Sequence, residues 1–180
     1  MSILKVARMG HPVLRAKARR LEKADLKSAA VQQLIDDMID TMVEYRGVGL
    51  AAPQVHEGLR LFVAAIDPSA DESATEDDAD PVAIINPEIT VVGGDVVDDW
   101  EGCLSIPGFR EQVRRARRVT VRARNARGEE FEKTGEDLVA RAFLHETDHL
   151  NGRLYITHIS ALKRDLMKRK IRKLVKLGEW

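Results

Sequence analysis

The chain has 180 residues, 44% of them hydrophobic, with 29 basic and 29 acidic side chains. That length carries one domain with a real core, and zero net charge argues against wholesale nucleic-acid binding. No apolar run approaches the ~20 residues of a membrane span, the N-terminus lacks a signal-like apolar core, and a single cysteine, Cys103, excludes an intrachain disulfide and suits a reducing cytoplasm.

In chain order, Gly10-His11-Pro12-Val13-Leu14-Arg15 reads as an extended or turn-like arm, because Pro12 disfavours helix at His11. Val31, Leu34, Ile35, Met38, Met42 and Tyr45 follow the stripe of an amphipathic helix that should stop at Gly47. Leu59 to Ile66 predicts a strand, and Asp67 to Asp80, with seven acids and no base, predicts a solvated loop. Strands are expected over Val82 to Val92 and Asp95 to Trp100, split by a turn at Gly93-Gly94. Arg118 to Arg124 alternates, with Val119, Val121 and Ala123 on one face, and Asn125 to Gly128 turns it back into Glu129 to Lys133. Thr134 with Asp137 resembles a capping box for a helix ending at Asn151-Gly152, and a last helix over Ser160 to Leu177 carries Ile159, Leu162, Leu166, Ile171 and Leu174. Strands in the middle and helices at the ends point to an α+β domain.

The chemistry concentrates in His145-Glu146-Thr147-Asp148-His149. Two histidines four residues apart lie about 40° apart around a helix, so both imidazoles reach one ion, while Glu146, about 100° from His145, flanks it. This is the logic of His-Glu-x-x-His, where the glutamate works on water at the metal. A catalytic metal usually takes three protein ligands. Cys103 is the leading third ligand, with His11, His56 and His158 as rivals, and Asp148 is either a second support for a histidine or a solvated charge. The small residues of Gly47 to Gln54 let a substrate backbone approach, and the Gln54 amide can donate to an oxyanion.

Together these segments resemble the peptide deformylase family, which carries a Gly-x-Gly-x-Ala-Ala-x-Gln loop, a Glu-Gly-Cys-Leu-Ser segment and His-Glu-x-x-His followed by Leu-x-Gly. Here they stand at Gly47 to Gln54, Glu101 to Ser105 and His145 to Gly152; Gly10 to Arg15 and Ile85-Asn86-Pro87 also look like family segments. The resemblance implies one catalytic domain over residues 1–180, with antiparallel sheets around a central metal-binding helix and a C-terminal helix. It implies hydrolysis of the N-formyl group from the initiator methionine of new proteins. Cys103, His145 and His149 would bind the metal, usually Fe(2+), with Zn(2+), Ni(2+) or Co(2+) able to use the same ligands. Glu146 would be general base and then acid, Gln54 and the Leu104 N–H would face the oxyanion, and the peptide would lie along Val48, Gly49 and Gly102 near Arg110.

Two departures stand out: Leu144 replaces the family's usual glutamine, and Arg141 stands where an apolar residue usually walls the methionine pocket, which bears on side-chain preference. Eight arginines between Arg110 and Arg127 and a basic helix, Lys163 to Lys176, read as solvated faces or, for the helix, as the ribosome contact the resemblance implies. The other partners implied are nascent formyl-methionyl peptides, with no membrane and no sequence-specific nucleic acid. The rival readings are a zinc endopeptidase using His158 as third ligand and a ribosome-binding module with a structural metal.

Overall fold

The computed structural model describes residues 2–65 and 81–180; the acidic segment Asp67 to Asp80 lies outside the described residues. Helices α1 (Lys23–Leu26), α2 (Ala29–Glu44), α3 (Asp137–Leu150) and α4 (Ala161–Leu177) accompany strands β1 (Gly49–Ala51), β2 (Leu61–Ala64), β3 (Val82–Val91), β4 (Val96–Cys103), β5 (Ile106–Ala116), β6 (Arg118–Arg124) and β7 (Glu130–Glu136). One antiparallel sheet has the order β1-β2-β3-β6-β7, and β4 pairs with β5 in a second. The α+β expectation, with antiparallel sheets, a helix between them and a C-terminal helix, is borne out.

The large sheet carries a helix on each face. Strand alternation sends Leu61, Val63, Ala83 and Ile85 into one cluster with Ile35, Met38 and Met42 of α2. It sends Phe62, Ala64 and Ile84 into the opposite cluster with Ala140, Phe143 and Leu150 of α3. Coverage on both faces is why β2 and the first four residues of β3, 82–85, read as apolar runs. Strand β6 sends Val119, Val121 and Ala123 to the α3 side only, so its sequence alternates. A third cluster packs Ile106 and Val113 of β5 against Tyr155, Ile156, Met167 and Ile171.

Local chemistry explains most boundaries. The Ser28 side chain accepts from the Val31 N–H at 3.2 Å and starts α2. That helix ends at Glu44, three residues short of Gly47, because Arg46 takes the left-handed turn at φ 53°. Tyr45 therefore leaves the core stripe and is 48% exposed. Pro12–Arg15 forms a short 3-10 turn, with His11 extended before it as the proline requires. Within β3, Asn86 adopts φ 52°, and its side chain exchanges two 2.9 Å hydrogen bonds with the Leu21 backbone. The register shift at that point bends the strand beside the segment it holds.

Several expectations need correction. Gly93-Gly94 separates two strands that belong to different sheets, so it carries the chain between sheets and closes no hairpin. Strand β5 is absent from the sequence reading: Pro107-Gly108 interrupts it, and only Ile106, Val113 and Arg115 along it are buried. The capping box at Thr134 does not form. Thr134 lies in β7, which runs straight into α3 through Glu136 without a side-chain cap. Gly135 permits that join, since a Cβ there would lie 2.6 Å from Val139 Cγ1. On α4, Leu162 and Leu166 face outward at 70% and 48% exposure, while Met167 and Ile171 make the contact.

Candidate metal centre and active site

Helix α3 presents His145 and His149 one turn apart, and Cys103 ends β4 at the tight turn where Cys103 pairs with Ile106. The turn aims Sγ at the helix, 3.3 Å from His149 Nε2. One ligand atom from each of Cys103, His145 and His149 lies within 4.8 Å of the others. His11 and His56 instead meet each other edge to face, and His158 hydrogen-bonds Asp148 at 2.7 Å. Among the described residues this cysteine–histidine trio is the metal-type cluster.

The electrostatics favour a cation there. Burial would push the Cys103 thiol up, but His149 and His145 outweigh it and hold the group well below the ordinary thiol value. Burial would lower His145; the adjoining sulfur and Glu101 raise it well above the ordinary imidazole value. A thiolate beside two imidazoles is a donor set that suits a divalent transition ion, which then takes the place of the imidazole proton. Two buried atoms near the trio lack protein partners, Glu146 Oε2 and His149 Nδ1. Burial raises the Glu146 carboxyl above its usual range, against the pull of both histidines.

Glu146 owes its place to Gly49. A Cβ at Gly49 would stand 2.5 Å from Glu146 Oε1, so the carboxylate keeps this position only while β1 passes over it as glycine. Gln54 is held by its own oxygen, which accepts from Ala51 N–H at 2.9 Å. Its Nε2 then donates to Ser105 Oγ at 3.1 Å and points toward Cys103 Sγ at 3.5 Å. Val48, Gly49, Gln54, Gly102, Leu104 and Arg110 line one cleft of about 810 Å3, together with Cys103, His145 and Glu146. His149 lies beneath its floor, 1% exposed.

The sequence reading missed the network behind His145. Glu101 Oε2 takes His145 Nδ1 at 2.9 Å, and the same carboxylate accepts from Arg115 Nε at 2.8 Å and NH2 at 3.0 Å. Burial alone would raise the Glu101 carboxyl; His145 and Arg115 bring it down to about 2. The only hint was its place at the head of Glu-Gly-Cys-Leu-Ser. Arg115 stood in an arginine-rich run read as solvated, yet it is buried between Glu101 and Asp148. Asp148 therefore neither floats in solvent nor supports a ligand: it holds Arg115 and His158. The rest of the run is largely paired on the surface, as in Arg114 with Asp98 and Arg117 with Asp137.

Known proteins resemble this chain in sequence and fold. The sequence profile of the polypeptide deformylases matches residues 3–165. The chain belongs to that family. A peptide deformylase of Acidobacterium capsulatum is 47% identical over 180 residues, covering all of both chains. The crystal structure of a peptide deformylase from Legionella pneumophila superposes with a TM-score of 0.83 at 41% identity, covering 98% of each chain. That of the Ehrlichia chaffeensis peptide deformylase in complex with actinonin gives 0.85 at 32% identity, over 96% of this chain and 98% of the other. The chain is accordingly a hydrolase that removes the N-formyl group from the terminal methionine of newly made proteins and releases formate. The endopeptidase reading falls with this membership, and His158, its required ligand, is bound to Asp148.

Proposed function

We propose that deformylation here runs on Cys103, His145 and His149 as metal ligands and on Glu146 as the proton carrier, with residues 1–180 acting as one catalytic unit. The convergence of the three donor atoms within 4.8 Å supports this reading. The resident ion is Fe(2+), as the family resemblance implies; Zn(2+), Ni(2+) and Co(2+) suit the same donors. When bound, the ion supplies a Lewis acid for the formyl oxygen and lowers the pKa of the attacking water. Glu146 takes the proton of that water and delivers it to the departing amine nitrogen, a task that suits a carboxyl of raised proton affinity. The Gln54 Nε2–H, directed by its bonds to Ala51 and Ser105, and the Leu104 N–H donate to the oxygen on which charge develops.

The substrate is a nascent peptide bearing formyl-methionine, lying extended in the cleft. Among the described residues strand β1 is an edge of its sheet and β4 pairs on one side only, so Val48 to Gly49 on one side and Gly102 on the other offer backbone groups to an added strand. Exposed Val48, Trp100 and Leu138 border the cleft and suit an apolar side chain. Arg110, opposite Gly102 across the β4–β5 pair, reaches the peptide carbonyls. The enzyme works in the cytoplasm; among the described residues no helix is long and apolar enough to cross a membrane. The basic helix α4, Lys163 to Lys176, whose half-buried Arg164 and Lys168 line a groove of about 610 Å3 with Arg172, is the ribosome contact.

Formate release from a formyl-methionyl peptide, measured with metal content after anaerobic purification, tests the reading. Cys103→Ala is expected to lose both metal and turnover. A variant that kept both would remove the cysteine from the ligand set.

A further inference from the structure

Arg141 is a buried charge with no assigned task. It is 5% exposed, stands one helical turn before His145 on the wall of the cleft, and its guanidinium bonds to the β4–β5 pair. NH1 donates to Glu101 Oε1 at 2.9 Å and to the Val113 carbonyl at 2.8 Å; NH2 donates to the Val97 carbonyl at 2.8 Å. One side chain thus ties α3, which carries two ligands, to both strands of the pair that carries the third. It also holds the carboxylate that orients His145. The buried network balances two carboxylates, Glu101 and Asp148, against two guanidiniums, Arg115 and Arg141. Without Arg141 the buried Glu101 carboxylate loses one of its cationic partners.

We propose that Arg141 is a positioning residue for the metal centre: it fixes Glu101, and through it His145, while locking the Cys103-bearing strand pair to the histidine helix. This rests on the ligand set proposed above. It also revises the meaning of the apolar-to-arginine departure. The guanidinium lines the cleft but commits its N–H groups to Glu101, Val113 and Val97, so its bonding serves the protein and not a substrate side chain.

The test compares Arg141→Met, Arg141→Lys and Val113→Ala, the last weakening the same strand pair from its core side, in cobalt-loaded protein. The readouts are the cobalt absorption bands, cobalt release to a chelator, kcat and KM separately, and thermal stability. Arg141→Met is expected to release cobalt ~10-fold faster, the scale found when support behind a metal ligand is lost. Its bands shift, and kcat falls with KM nearly unchanged. Arg141→Lys, able to keep the charge and part of the bonding, recovers some of each, while Val113→Ala lowers stability and leaves bands and release as in the parent. If Arg141→Met loses stability yet matches the parent in bands, release and kcat, Arg141 is a structural tie alone and the proposal is overturned. If that variant fails to fold, Arg141→Lys decides: parental bands and release overturn it equally. Failure of the parent protein to bind cobalt at all would instead strike the ligand set itself.

Discussion

Helices α2 and α3 pack on opposite faces of the same sheet and bury quite different material. The inward face of α2 is Val31, Ile35, Met38 and Met42, with Thr41 as its one buried polar residue, satisfied by the Asp37 carbonyl at 2.6 Å. The inward face of α3 holds Arg141, Glu146, Thr147 and His149 among its apolar residues. All three unpartnered buried side-chain atoms found among the described residues, Glu146 Oε2, Thr147 Oγ1 and His149 Nδ1, lie on α3. Such atoms cost stability, so the contrast teaches a division of labour: one face of the sheet holds the fold, and the other spends part of that stability on a site.

The sharpest way to break this division is to swap function and stability at single positions. Glu146→Gln removes the proposed proton carrier without changing shape, and kcat is expected to fall ~10^3-fold in the formate assay. Because the substitution also removes a buried carboxyl from an apolar setting, the melting temperature should hold or rise. A large loss of stability would mean that Glu146 helps hold α3. The mirror experiment is Met38→Ala in α2, at 0% exposure. Denaturant titration is expected to show a loss of about 3 kcal/mol from the cavity left behind, with kcat/KM per folded molecule unchanged.

The same contrast explains what could be read from residues alone. The α2 stripe, the apolar runs of β2 and β3 and the alternation of β6 were legible because burial on one or two faces imprints a period on the sequence. The candidate histidine ligands were legible because chemistry demands those residue types at that spacing, whereas Cys103 as the third was singled out by the family resemblance. The network beneath them was not. Arg115 and Arg141 are the same residue type as the exposed Arg114 and Arg118, and only the pairing of β4 with β5 buries the first two. Strand β5 was hidden for a related reason: paired on one side only among the described residues, it has too few inward residues to show a period. On α4 the apolar residues were visible but their direction was not, since Leu162 and Leu166 point to solvent.

An effect of similar size separates the two faces by pH. Glu101 in the metal-free fold has its carboxyl drawn from 4.5 down to about 2 by His145 and Arg115, against the upward push of burial. A folded-state value below the unfolded one gives stability that is complete above about pH 4.5 and is lost as pH falls through the folded value, here worth about 3 kcal/mol. The metal-free parent should therefore weaken between about pH 4.5 and 2, and Glu101→Gln should flatten that part of the curve. Met38→Ala should shift the whole curve down without changing its slope. If Glu101→Gln left the acid limb intact, the network would not be what binds the site face to the fold.

The last prediction concerns the point where β1 crosses the site. Gly49 lies outside the left-handed region, so alanine meets no backbone penalty there, and it narrows the unfolded ensemble by an amount worth ~0.5 kcal/mol in favour of the fold. The obstacle is steric: the new Cβ would meet Glu146 Oε1, Cδ and Cγ within 2.9 Å. Those atoms end a side chain that can swing, so the strand keeps its place and the carboxylate moves. A proton carrier displaced by about 1 Å costs up to ~10^2-fold in rate, whereas the same displacement costs little in packing. Gly49→Ala should accordingly lower kcat by up to ~10^2-fold, leave metal content intact and hold the melting temperature close to that of the parent. If stability collapsed while the surviving folded fraction kept full kcat, the strand would have yielded instead of Glu146. Gly49 would then belong to the structural side of the division, and the site face would be less separable from the fold than its chemistry suggests.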